Sequence, residues 1–135
     1  MLDPKKFSFN GQITNRKSVI SQLNLPDNVS NFELTKAAYQ KWTLSLNLHL
    51  AGDYAIVLPL EEEQHVFLCL SPFSSHQLFY KNDTKTISIN NTLADFSHQA
   101  HVDTFAINQL LHWRYIYSPN TLFKHVSALS NGQSL

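Results

Sequence analysis

Five groups of residues in this chain have types and spacings that could do chemistry. The most informative is Phe9-Asn10-Gly11-Gln12-Ile13-Thr14-Asn15-Arg16. An apolar strand runs into Asn-Gly and then into a polar helix start, the outline of a substrate site. A plain strand-to-helix turn that needs glycine for its dihedral angles accounts for the same residues. Cys69 is the chain's one thiol and so its one candidate sulfur nucleophile. Set between Leu68 and Leu70, it reads as a small hydrophobe in a buried strand, with a raised pKa. His98-Gln99-Ala100-His101 has a spacing that some metal sites use, yet it falls in a loop with no second Cys or matching carboxylate pair, which predicts a solvated loop. Glu61-Glu62-Glu63 reads as the solubilising tip of a hairpin rather than an acidic docking site. Trp113, Tyr115 and Tyr117 with Arg114 follow an apolar helix and precede a proline turn. Their setting predicts a core edge or inter-domain contact ahead of a binding surface.

The elements that must position these groups follow from local pattern. Residues 6–9 alternate and are partly aromatic, predicting a strand that ends where Gly11 permits a sharp turn. A helix over Arg16–Leu23 has Val19, Ile20 and Leu23 at helical spacing, with Pro26 just beyond its end. Ser30 and Glu33 have capping-box spacing and open a second helix whose face is Leu34, Ala37, Ala38 and Trp42, ending near residues 44–46. From Asp53 the period changes. Residues 54–58 and His65–Leu70 are continuous apolar runs that predict an antiparallel hairpin of strands buried on both faces. Residues 77–80 and 86–89 predict a further hairpin, turning at 81–85, with one wet face. Asp103 caps a last helix through Leu111, with Phe105, Ile107, Leu110 and Leu111 as its apolar positions. The tail is turn-rich, with Leu122, Phe123 and Val126 as packing anchors.

Composition narrows the function classes. A chain of 135 residues that is 43% hydrophobic, with nine Phe, five Tyr and two Trp, can fill one core, predicting a single domain over residues 1–135. Ten basic and ten acidic residues cancel, so no general field steers the protein to nucleic acid or to an anionic membrane. The apolar runs are too short to span a bilayer, and the N-terminus lacks the apolar core of a signal peptide. The expectation is a soluble cytoplasmic protein. One Cys makes no internal disulfide, which fits a reducing compartment.

The segment Phe9-Asn10-Gly11-Gln12-Ile13-Thr14-Asn15 resembles the Phe-Asn-Gly-Glu-Ile-Tyr-Asn of class II glutamine amidotransferase domains, those that open asparagine synthetases and related amide-forming enzymes. The match continues in order. Leu50-Ala51-Gly52-Asp53-Tyr54-Ala55-Ile56 is similar to the family's Leu-x-Gly-Asp-Phe-Ala-Phe, and His76-Gln77-Leu78-Phe79-Tyr80 to its Arg-Pro-Leu-Tyr-Tyr. Residues 103–111 resemble the helix after its second hairpin. Residues 119–135 are similar to Pro-x-Thr-Leu-Phe-x-x-Ile-x-x-Leu-Pro-Pro-Gly-x-x-Leu. Each piece is weak alone, and their shared order and spacing carry the assignment. The resemblance implies an α+β fold, a shortened N-terminal nucleophile hydrolase-like sandwich of antiparallel sheets with flanking helices. It implies that the Asn10 side chain and the Gly11 N–H descend from an oxyanion hole, donors that stabilise charge on a carbonyl oxygen under attack. With Asn31, Gly52 and Asp53 they are the expected remnants of a glutamine site.

The departures shape the expected function. The family's nucleophile is an N-terminal Cys, whereas this chain begins Met1-Leu2-Asp3-Pro4. The segment that carries the Cys, the first strands and an Arg gripping the glutamine carboxylate is therefore expected to be missing, and glutaminase activity with it. The family's Ser-Asp-x-Glu, whose Asp binds the substrate amino group, stands here as Ser30-Asn31-Phe32-Glu33, with the charge lost. Its Arg-Asp has become Leu70-Ser71, and the following Gly has become Ser74 or Ser75. The chain also stops before the Ser-Gly-Gly-x-Asp-Ser loop that holds ATP phosphates. No catalytic residue, metal or cofactor is expected in this chain, and ATP and magnesium are implied only for a synthetase domain outside it. The first expectation is a non-catalytic glutaminase-like domain that docks or supports such an ATP-using domain or subunit. The alternatives are part of a working glutamine-hydrolysing asparagine synthetase whose Cys segment lies elsewhere, or a free-standing interaction domain. Losing the first strands would uncover a sheet edge or core face, favouring a homo-oligomer or capture by a partner.

Overall fold

A computed structural model describes residues 2–3, 6–60, 65–83, 86–98 and 101–135. Helices and antiparallel sheets alternate along it, making the chain α+β. No described helix is long and apolar enough to cross a membrane. The chain divides into two compact units, Pro4–His76 with Asn131–Leu135, and Met1–Asp3 with Gln77–Ser130.

The first unit is built on a three-stranded antiparallel sheet in the order β1 (Ser8–Ile13), β2 (Gly52–Leu60), β3 (His65–Leu70). β1 runs from Ser8 opposite Val57 to Ile13 opposite Gly52. β2 and β3 form the expected hairpin, from Ala55 opposite Leu70 to Leu60 opposite His65. Its connection, with Glu61, Glu62 and Glu63, lies outside the described residues. Tyr54, Ile56, Leu58, Phe67 and Cys69 line one face of the sheet and pack on Val19 and Ile20 of helix α1 (Arg16–Leu23) and Leu34 and Ala38 of helix α2 (Asn31–Trp42). Their alternating neighbours Ala55, Val57, Leu68 and Leu70 are buried as well, so β2 and β3 are buried on both faces, as their unbroken apolar runs predict.

Both helices are specified locally. α2 begins with a complete capping box: Ser30 Oγ accepts from Glu33 N at 3.2 Å, and Ser30 N donates to Glu33 Oε2 at 3.1 Å. Its α-helical part stops at Trp42 and tightens into a 3₁₀ helix over Thr43–Leu48. The junction residue Thr43 has φ 48°, a left-handed conformation that no glycine or proline in the sequence announces. Leu34 and Ala38 are buried as the helical spacing predicts; Ala37 is only half-buried, and Thr35 takes a fully buried place beside them.

Two departures bear on the site. The first strand does not end in a turn at Gly11; β1 continues through Asn10 and Gly11 to Ile13, and the chain turns at Thr14 and Asn15. The second is the tail. Residues 131–135 lie along the outer edge of β3, with Leu68 and Leu135 exchanging backbone hydrogen bonds of 2.9 Å and Leu70 N donating to Gln133 O at 3.1 Å. Only tertiary pairing makes this a strand-like element.

The second unit carries a sheet in the order β5 (Thr86–Asn90), β4 (Phe79–Asp83), β6 (Ser127–Ala128). Of the expected turn at 81–85, residues 81–83 belong to β4 and the rest lie outside the described residues. Phe79, Phe96 and Val126 form a small core, with Phe123 against it. Helix α3 (Thr104–Trp113) is capped by Asp103, whose Oδ1 accepts from Phe105 N at 2.9 Å. Ala106 is the residue it buries. Trp113, at the end of α3, and Tyr115 and Tyr117, beyond the left-handed Arg114 at φ 59°, are exposed, correcting the core-edge half of the expectation: among the described residues no core receives the rings.

Ser30→Ala removes one capping-box partner and is expected to cost about 1 kcal/mol, read as a lower urea midpoint with an unchanged slope.

Candidate functional site

Two glycines bring β1 and β2 together where the site lies. Gly11 has φ 102° and Gly52 φ 139°. A Cβ on Gly11 would stand 2.1 Å from the Asp53 carbonyl oxygen, and one on Gly52 2.1 Å from the Gln12 carbonyl oxygen. Each strand thus presses a carbonyl into the space that the other keeps empty, and only glycine fits either place. Thr14 N donates to Ala51 O at 2.8 Å and Ala51 N to Asn15 Oδ1 at 2.9 Å, closing the end of the ladder.

This pairing sets the direction of the Gly11 amide. Tyr54, opposite Gly11, spends its backbone groups on the β3 side: its N–H donates to Ser71 Oγ at 3.2 Å and its C=O accepts from Ser71 N at 3.0 Å. Gly11 and Tyr54 are therefore a non-hydrogen-bonded pair, and the Gly11 N–H turns away from β2. A peptide N–H aimed out of its own ladder is a donor for an incoming oxygen. Asn10, exposed, stands opposite Ala55, and Gln12 opposite Asp53, so Asn10 and Asp53 are diagonal neighbours on one face.

Asp53 organises the loop that follows β3. Its carboxylate accepts from Ser75 N at 3.0 Å, Ser75 Oγ at 2.5 Å and Ser74 Oγ at 3.3 Å, with His76 Nε2 at 3.7 Å. The Ser75 hydroxyl and amide, against desolvation and with smaller help from His76 and Ser74, hold its pKa below the ordinary 3.8. The same loop is held from its other side, where Asn131 Nδ2 donates to Ser74 O at 3.2 Å and Gly132 N to Ser71 O at 3.0 Å. His76 Nε2 would lie 2.9 Å from a Cβ on Gly11, which places the imidazole directly over that glycine. Gly11, Gly52, Asp53 and His76 thus form one group, with Asn10 beside it.

Asn31 is engaged elsewhere. Its Oδ1 accepts from Arg16 Nη1 at 2.6 Å, and the other arm of the guanidinium donates to Val29 O. The neutral amide at the head of α2 is tied to the first residue of α1, an arrangement that the Ser-Asn-Phe-Glu motif does not reveal.

Cys69 is fully buried on the core face of β3. Its thiol donates to Asn47 Oδ1 at 2.8 Å and accepts from Ser134 Oγ at 3.8 Å, while Asn47 also accepts from the Tyr54 hydroxyl at 2.9 Å and donates to Ser134 Oγ at 3.0 Å. Burial pushes the thiol pKa up to about 12 against the Ser134 and Asn47 hydrogen bonds, and it also raises the Tyr54 phenol. A thiol so placed is a structural group. His98 and His101 are exposed, with the two residues between them outside the described set, and no group of three or more metal-type side chains gathers among the described residues.

Motif reading missed Ser74, Ser75, Asn47 and Ser134 as partners. Asp53 and Ser75 are 22 residues apart and Cys69 and Ser134 are 65 apart, so no local spacing links them. His76 carried the one available signal, as the residue standing where the resembling motif has Arg.

A model of the glutamine amidotransferase domain matches residues 4–135, and the chain belongs to that family. No curated protein matches it.

Two outcomes follow from the geometry. Gly11→Ala must push back the Asp53 carbonyl and adopt a disfavoured φ, and is expected to lose about 2–4 kcal/mol of stability by urea unfolding. For Asp53 the folded pKa is lowered, so its contribution is present above the ordinary carboxylate value and lost as pH falls through the folded one. Asp53→Asn should lower the melting temperature at pH 7, flatten its decline below pH about 4, and speed amide exchange at Ser75. Glu33, also lowered by its Ser30 bonds, keeps a residual acid dependence in that variant.

Proposed function

We propose that this glutamine amidotransferase domain is non-catalytic by itself and serves an asparagine synthetase-like, amide-forming system, docking or supporting an ATP-dependent synthetase domain. The observation that carries this reading is the placement of Cys69. Glutamine hydrolysis through a covalent intermediate needs a thiolate beside the donors that receive the oxyanion. The only thiol in these 135 residues is buried, hydrogen-bonded to Asn47 and raised to a pKa of about 12. Asn31 supports the same reading, since a neutral amide bound to Arg16 offers no charge to a substrate ammonium. By family resemblance the partner activates a carboxylate with ATP and lets an amine attack it, and ATP and magnesium belong to that partner. The cytoplasm is the compartment that fits this role.

A second reading is favoured by the outward Gly11 N–H and by the neighbouring Asn10. Strands held together at two glycine positions keep a donor in place, which has a use if a thiol from outside these residues reaches it. In that case the domain is the glutamine-binding part of a working hydrolase.

Ammonia and glutamate release from glutamine separates the two. The purified chain should release neither, alone or with the protein encoded next to it. Release only with that neighbour would establish the second reading, and release by the chain alone would sink both.

A further inference from the structure

Residues 131–135 stay on the first unit with little help from burial. None of the five is buried, and Leu135, their one apolar side chain, is 48% exposed. What they have is polar pairing: Gln133 and Leu135 with the outer edge of β3, Gly132 N with Ser71 O, Asn131 Nδ2 with Ser74 O, and Ser134 Oγ with Asn47 Nδ2. Such bonds replace bonds to water and return little net free energy, while every residue they order loses conformational entropy. A segment held in this way opens at a far lower free energy than the strand it lies against, which is buried on both faces. Gly132 makes its turn onto β3 at φ 75°, in the left-handed region that favours glycine.

The loop over residues 71–76, in the same unit, depends on the same kind of contact. Past Ser71 none of its residues is buried, and Phe73 is 90% exposed. It is clamped from two sides, by the Asp53 carboxylate and by Asn131 with Gly132, and the clamps meet in Ser74. The Ser74 carbonyl accepts from Asn131 Nδ2 at 3.2 Å, its hydroxyl donates to Asp53 Oδ1 at 3.3 Å, and the same hydroxyl oxygen accepts from His76 N at 3.1 Å. Letting go of the Ser74 carbonyl therefore loosens the hydroxyl on which the His76 N–H rests. His76 in turn carries the imidazole that lies over Gly11.

We propose that residues 131–135 are a detachable strap that sets the candidate site. Seated, the strap keeps Ser75 on Asp53 and the His76 imidazole over Gly11; lifted, it releases both and opens the space over Gly11 while β1, β2 and β3 stay paired. Asn131 and Gly132 are its positioning residues, and Ser74 is the joint through which they act. The strap works in the same way under either reading of function given above. Because both clamps hold one loop, their coupling is reciprocal: what loosens the strap loosens the grip of Asp53, and what loosens Asp53 loosens the strap.

Hydrogen exchange of the whole chain, followed amide by amide by NMR, tests this. Gly132→Pro deletes the N–H given to Ser71 and forbids the left-handed turn, and Asn131→Ala removes the amide given to Ser74. Each should speed exchange at Ser75 about three- to tenfold, shift the His76 ring resonances toward those of a histidine in water, and leave the β2 amides at their wild-type rates. In return, Asp53→Asn should speed exchange at Gly132 and Leu135, which its side chain does not touch. If Gly132→Pro lowers stability throughout and speeds every amide, Asn131→Ala decides, since that side chain is exposed and its loss leaves the backbone free to keep its turn. Two results would overturn the proposal: a strap variant that speeds exchange at Leu135 but leaves Ser75 and His76 as they were, and an Asp53→Asn chain with Gly132 and Leu135 unchanged. So would wild-type strap amides that exchange as slowly as those of β2.

Discussion

The contact on which the site rests is steric: the Asp53 carbonyl lies where a Gly11 Cβ would be, and the Gln12 carbonyl lies where a Gly52 Cβ would be. Each strand approaches the other this closely only because it lacks a side chain where the other's carbonyl lies, at Gly11 opposite Tyr54 and at Gly52 opposite Ile13. The approach keeps β1 in the sheet through Asn10 and Gly11, aims the Gly11 amide outward, and brings Asn10 and Asp53 onto one face. A methyl group at either glycine would move a backbone and not just a side chain, so the arrangement has little room to relax.

Polar contacts then fix what the glycines permit. Asp53 gathers a hydroxyl and an amide from Ser75, a second hydroxyl from Ser74 and the edge of His76, and the loop after β3 is held across its other side by Asn131 and Gly132. Those contacts, the Ser75 hydroxyl and amide first, hold the Asp53 pKa below its ordinary value, so it is an anion at neutral pH. Below the sheet a second set of bonds joins Tyr54, Asn47, Cys69 and Ser134. There the thiol takes part in packing and hydrogen bonding, which is the opposite of what a nucleophile requires. The domain's own sulfur is committed to the core, and this underlies the functional reading.

Much of the fold was legible where signals are local. α1 spans the residues that its apolar spacing marks, the Ser30–Glu33 capping box forms in full, Asp103 caps α3, and the β2–β3 pair follows from two unbroken apolar runs. Where packing overrides propensity the reading failed. Asn-Gly usually signals a turn, but here Gly11 pairs with Tyr54 across a ladder and the strand goes on. Trp113, Tyr115 and Tyr117 are aromatic enough for a core, yet Trp113 lies exposed at the end of α3, and the chain, leaving the helix at Arg114 in a left-handed conformation, leaves Tyr115 and Tyr117 exposed as well.

The sequence by itself determined the family, through motifs in a shared order, and the elements whose causes lie within a few residues: helix spacing, caps and buried apolar runs. It also placed Cys69 in a buried strand, because its neighbours are leucines. The tertiary structure alone decided that Gly11 and Gly52 each receive a carbonyl of the other strand, that Ser75 and His76 attend Asp53, that Asn31 belongs to Arg16, and that residues 131–135 pair with β3. Those contacts join residues up to 67 positions apart, Leu68 and Leu135. Side chains at such separations meet only after strands have chosen their register, and register is set by the packing of the whole sheet rather than by any local run of residues.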